Sequence, residues 1–254
     1  ALLAGPMLPL QARAETASAP CDAPLDLLRL ANPLPRVAGK LAAGEPITIV
    51  AIGSSSTAGS GASSSAATYP SRLTVELKRH FPNSKIKMIN RGIGGEEIPD
   101  MLKRFDKGVV ANKPDLVLWQ LGTNALLRGH MIVDRGAAIR KGLEKIRRTG
   151  ADIVLIDPQF APKVNVKPDA PQMVAFISTV AQQEDVALFN RYGVMKRWRE
   201  IDNLPFKVFV APDGLHMNDW SYACMAKGLG RAIAEAVRRP VVAAKVMPPV
   251  DDDD

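Results

Sequence analysis

The chain has 254 residues, 46% of them hydrophobic and 23% charged, and 33 Lys and Arg against 26 Asp and Glu give a net charge of +7. These are the proportions of a folded globular chain, long enough to bury one sizeable core, and no internal run approaches the ~20 apolar residues that a membrane-spanning helix requires. The basic residues are scattered, with "KRWR" at 196–199 the densest run, and aromatics are few. The excess therefore reads as a solvated basic surface, suited to peripheral contact with anionic envelope polymers and not to binding nucleic acid.

Taken in order, residues 1–14, "ALLAGPMLPLQARA", are apolar and end in the small-x-small pattern Ala12-Arg13-Ala14. This is the form of a secretory signal's apolar region and cleavage site, so the stretch is expected to be the remnant of an export signal and the protein periplasmic or secreted. Ser18-Ala19-Pro20 before Cys21 lacks the leucine of a lipid-attachment box. Cys21 and Cys224 are the two cysteines; in an exported chain they can pair, and two separate buried thiols are the alternative. Residues 15–46, rich in Ala and Pro, show no sustained period beyond "LDLLRLA" and read as an arm leading into the domain.

From Ile47 the punctuation becomes regular. Short apolar runs, "ITIVAI", "KIKMIN", "LVLWQL", "DIVLID" and "VALF", read as five strands. Between them apolar residues recur at helical spacing: Tyr69, Leu73, Leu77 and Phe81; Ile139, Leu143 and Ile146, stopping before Gly150; Met173, Ile177 and Val180. A last helix begins near Asn218 or Asp219, carries Met225, Leu229, Ile233 and Val237, and ends at Pro240. Strand–helix alternation with nearly all-apolar strands predicts a three-layer α/β/α domain over residues 47–240, built on a doubly wound, parallel, five-stranded sheet. Residues 241–254, ending "PPVDDDD", read as a disordered acidic tail.

In such a fold ligands sit at the carboxyl ends of the strands. The first strand is followed by Gly53-Ser54-Ser55-Ser56-Thr57, the second by "NRGIGGEE", the third by "LGTNALL"; "APDGLHMND" precedes the last helix. Of the three histidines, His80, His130 and His216, only His216 has a carboxylate at a short fixed spacing, Asp213. A serine becomes nucleophilic when a histidine takes its proton and a carboxylate holds that imidazole in the right tautomer. Backbone N–H groups and a neutral amide, such as those of Gly95 and Asn124, suit the oxygen on which negative charge develops.

These four blocks, Ser, Gly, Asn and His in chain order over roughly residues 47 to 239, resemble the SGNH, or GDSL-type, hydrolase family. The resemblance implies Ser55 as nucleophile, Asp213 and His216 as its partners, and an oxyanion hole of Ser55, Gly95 and Asn124. It also implies an esterase, lipase or carbohydrate deacetylase with no metal or organic cofactor, acting on a small-molecule or glycan ester. Two positions depart from the pattern: Ser54 stands where the family usually has aspartate, and Ala125 where an aspartate often follows the asparagine. Three other readings stay open. The acyl group is either short, as in an O-acetyl esterase on envelope or extracellular glycans, or long, as in a lipase or lysophospholipase. The hydroxyl-rich loop also suits the phosphate of FMN in a flavodoxin-like protein, and the two departures suit a non-catalytic module on the same scaffold. The Pro-rich segments 157–171 and 203–212 are expected to wall or cover the cleft.

Overall fold

A computed structural model describes residues 21, 23–130 and 135–239; the expected signal remnant and the acidic tail lie outside them. Five segments, β1 (Ile47–Gly53), β2 (Ile86–Gly92), β3 (Leu116–Gln120), β4 (Asp152–Ile156) and β5 (Ala187–Phe189), form one sheet in the order β2-β1-β3-β4-β5. Every neighbouring pair is parallel. The strand order reverses direction between β1 and β3, which opens a crevice above their carboxyl ends.

The central strands are the apolar runs that a sheet covered on both faces demands. All of β3 is buried, and all of β1 but Thr48. Helices supply the two outer layers, each turning its apolar stripe inward. Tyr69–His80 buries Tyr69, Leu73 and Leu77, Gly136–Arg147 buries Ile139, Leu143 and Ile146, and Ala170–Gln183 buries Met173, Ile177 and Val180. The last helix, Asp219–Arg238, is capped by Asn218, whose side chain accepts from the Ser221 N–H at 3.1 Å. β2 departs from the expectation of strands covered on both faces. It is an edge strand with no fully buried residue, and Lys87 and Arg91 lie exposed along it, charges that discourage edge-to-edge pairing with another sheet.

The N-terminal arm is part of the core. Helices Leu25–Leu28 and Pro35–Ala42 and the turn between them bury Leu28, Leu30, Leu34 and Val37, at roughly 1.5–3 kcal/mol for each large apolar side chain. Arg239 donates to the carbonyls of Leu30, Ala31 and Asn32. Asp152 accepts from the N–H groups of Arg36 and Val37. Cys21 and Cys224 form a disulfide across 203 residues, with Cα atoms 5.3 Å apart; on the chain-entropy model, closing so long a loop is worth on the order of 5 kcal/mol.

Candidate active site

β1 stops at Gly53 because the chain there must turn against two neighbours. On the β3 side, the N–H and Oγ of Ser54 both donate to Gln120 Oε1, at 2.9 and 3.0 Å, and Thr57 Oγ1 reaches the same oxygen at 3.4 Å. Thr57 Oγ1 also lies 3.2 Å from the Tyr69 hydroxyl, whose pKa burial pushes up to about 12. On the β2 side, Asn90 Nδ2 donates to Thr57 O at 2.7 Å while Asn90 Oδ1 accepts the Gly92 N–H. A Cβ at Gly92 would stand 2.0 Å from the Ala58 nitrogen, so only glycine lets β2 approach the turn this closely.

Clamped in this way, the turn opens the short helix Ser55–Ala58. Ser54, Ser56 and Thr57 are at most 2% exposed, with the hydroxyls of Ser54 and Thr57 spent on partners inside the protein. Ser55 is left half-buried in the crevice. The turn is therefore a poor phosphate cradle and a good mount for one hydroxyl.

The histidine arrives from the other side. Val210 and Met217 bridge the ends of its loop, Ala211 N–H donates to His216 O at 2.8 Å, and Gly214 N–H donates to Ala211 O at 3.0 Å. Gly61, with φ of +86°, lies under it: a Cβ there would meet the Met217 carbonyl at 2.2 Å. Within the loop Asp213 Oδ1 accepts the N–H groups of Leu215 and His216, both at 2.9 Å, and Asp213 Oδ2 lies 2.5 Å from His216 Nδ1. Burial pushes the Asp213 carboxyl up, but the hydrogen bonds from the His216 ring and the two backbone N–H groups outweigh it and bring the pKa down to about 2. An ionised Asp213 accepts a hydrogen bond from Nδ1–H, which leaves Nε2 as an acceptor. His216 Nε2 lies 2.8 Å from Ser55 Oγ.

The loop after β2 closes the third side. A Cβ at Gly94 would stand 3.9 Å from Ser55 Cβ, so this loop runs directly beside the serine. Asn124, in the helix Thr123–Leu127 after β3, donates Nδ2 to Glu96 O at 2.8 Å. Arg128 donates to Gly95 O at 2.9 Å and to Glu97 Oε1 at 2.7 Å. Arg104 forks onto the Glu96 carboxylate at 2.8 Å and holds Arg91 O. His130 is exposed, and it places Nδ1 at 2.9 and 3.0 Å from the two Glu97 oxygens.

Thus the structure brings Ser55, Asp213 and His216 into one hydrogen-bonded line and sets Gly95 and Asn124 at the loop beside it. Sequence reasoning missed Gln120, Arg104 and Arg128; a polar residue ending the otherwise apolar β3 was the one available signal. Ser54 is not loose for want of the family's aspartate, because Gln120 accepts from it twice. Ala125 is buried as plain apolar packing. The first part of the Pro-rich segment is no cover for the cleft: Asp157, Gln159, Phe160 and Ala161 are all buried.

Residues 20–239 match the sequence model of the Non-GDSL lipase-like family. The chain belongs to that family. Among curated proteins, none matches it. Its fold is that of carboxylic ester hydrolases. A two-domain esterase active on acetylated mannans superposes with a TM-score of 0.70 at 22% identity, over 87% of this chain and 59% of that one. A catalytic variant of an acetylxylan esterase from Geobacillus stearothermophilus gives 0.64 at 18% identity, over 74% of this chain and 94% of that one. An acetyl-xylooligosaccharide esterase from Geobacillus gives 0.62 at 19%, over 78% and 97%. This member of the lipase-like family therefore spans about three fifths of the two-domain esterase and nearly the full length of the single-domain ones. Among the described residues no helix is long and apolar enough to cross a membrane.

Proposed function

We propose that this family member is a serine esterase that removes acetyl groups from the hydroxyls of an extracellular or envelope glycan. The observation that carries the reading is the continuous line from Asp213 through His216 to Ser55 Oγ, with links of 2.5 and 2.8 Å. In this scheme His216 Nε2 takes the Ser55 proton as Oγ attacks the ester carbonyl. The N–H groups of Ser55 and Gly95 and the second hydrogen of the Asn124 amide meet the developing oxyanion. His216 then protonates the departing sugar oxygen, and a water molecule repeats the sequence on the acyl-enzyme to release acetate. The neighbours that act on acetylated mannans and xylans support a glycan ester over a lipid. The Cys21–Cys224 disulfide supports an oxidising, exported location.

Ser55→Ala should lower turnover of p-nitrophenyl acetate by at least about 10³-fold with the fold retained, because such groups act as a unit. Loss of less than about tenfold would assign the nucleophile elsewhere. A series of acyl chain lengths separates the substrate classes: a sharp preference for two carbons supports deacetylation, and a preference for long chains supports a lipase.

A further inference from the structure

Gln159 lies just beyond β4, on the segment that follows Asp157, and its side chain is fully buried. Its single carboxamide spans two loops. Oε1 accepts from Thr123 Oγ1 at 3.0 Å, and Nε2 donates to Leu215 O at 3.2 Å. Thr123 immediately precedes Asn124; Leu215 immediately precedes His216. Among the described residues no hydrogen bond joins these two loops directly, so the carboxamide is the polar link between them. The segment that carries it is itself anchored, since Asp157 O accepts from Arg191 Nε and Asp157 Oδ1 from the Tyr192 N–H, both at 2.9 Å.

We propose that Gln159 is a positioning residue that sets the oxyanion side of the site against the histidine side, acting through Thr123 and Leu215; this rests on the assignment of Ser55, His216 and Asn124 above. The chemistry of the two contacts selects the residue. Thr123 offers a hydroxyl hydrogen and needs an acceptor; Leu215 offers a carbonyl and needs a donor. A carboxamide supplies both while staying neutral, which matters where burying a charge is costly. Productive geometry in such sites tolerates errors of only about 0.5 Å, and among the described residues this carboxamide is the hydrogen-bonded route between the two loops. Lys163 N–H also donates to Gly214 O at 3.0 Å. Loss of the carboxamide would therefore leave the histidine loop attached to its neighbour but no longer keyed to Thr123.

Two variants test this, each compared with the native protein at every pH on p-nitrophenyl acetate. Gln159→Met keeps the volume and removes both bonds. It should lower kcat by about 10- to 100-fold at all pH values while KM stays within about twofold, the signature of lost transition-state alignment. Gln159→Glu can donate to Leu215 O only when its carboxyl is protonated, and burial raises the pKa of such a group. The ratio of its kcat to the native value should be near one at acid pH and fall steadily as pH rises. Asp157 on the same segment, Asp213 and His216 on the histidine loop and Lys163 beside it are common to both proteins, so the ratio isolates position 159. A Met variant with kcat within about twofold of native, or a Glu variant whose ratio is flat with pH, would overturn the proposal. If the Met variant does not fold, the trend of the Glu ratio with pH decides alone. If Ser55→Ala silences the enzyme and the Gln159 series is flat, only the positioning role is sunk. Full activity in Ser55→Ala sinks the nucleophile assignment and this inference with it.

Discussion

Two histidine–carboxylate pairs flank the crevice, and they differ in what surrounds them. In the first, His216 Nδ1 lies 2.5 Å from Asp213, the imidazole is 16% exposed, and Nε2 faces a serine hydroxyl. In the second, His130 Nδ1 lies 2.9 Å from Glu97, the ring is 47% exposed, and Glu97 also serves Arg128 and Arg135. Asp213 is committed to one ring and two backbone N–H groups; Glu97 is shared among three side chains and caps the helix Ile98–Lys103. A carboxylate beside an imidazole is thus not a catalytic signature in itself. The far nitrogen needs a target, and the carboxylate must have little else to do.

Substitutions across the two pairs should separate them by orders of magnitude. Asp213→Asn frees His216 to adopt the wrong tautomer and should lower kcat on p-nitrophenyl acetate by about 10³–10⁴-fold with the fold retained. Glu97→Gln should reverse that balance. Taking the shared charge from beside Arg128 and Arg135 should cost roughly 1–3 kcal/mol in a denaturant melt, while kcat falls less than about tenfold through the slackened Gly95 loop. His130→Gln, which removes an exposed partner of an already saturated carboxylate, should leave kcat within about twofold. If His130→Gln silences the enzyme as Asp213→Asn does, the comparison is wrong.

The smallest effect is on acid stability. Asp213 is held below its unfolded value, at about 2, so the stability it contributes is complete above the ordinary carboxylate range and disappears as pH falls from about 4 towards 2. Glu97 is lowered too: burial opposes the shift, and the hydrogen bonds from His130 and Arg128 outweigh it. Acid unfolding of Asp213→Asn, followed by circular dichroism, should show a shallower fall across this interval than the native protein. An unchanged slope would place the acid lability elsewhere.

The parts legible in the sequence are those whose physics is local. β1, β3 and β4 announce themselves as apolar runs, and the longer helices as stripes at one face. Ser55, Asp213 and His216 stood out because a small-residue turn and a carboxylate three residues before a histidine are short patterns. The braces were hidden because their partners are far away in the chain: Ser54 meets Gln120 across 66 residues, and Gln159 meets Leu215 across 56. The N-terminal arm reads in the sequence as a lead-in to the domain and not as part of its core, because its helices have only four and eight residues and prolines interrupt any period. The cysteine spacing left both pairing and separate thiols open, since nothing local decides which surfaces meet.

That pairing has a consequence for how the protein is made. Cys224 lies in the last helix and Cys21 near the front of the arm, and Arg239, further on still, holds the carbonyls of Leu30, Ala31 and Asn32. A chain synthesised from its N-terminus presents the arm first and the helix that receives it last. The covalent ring therefore cannot close until almost the whole domain has emerged, and locking the fold is a late step that waits on an oxidant.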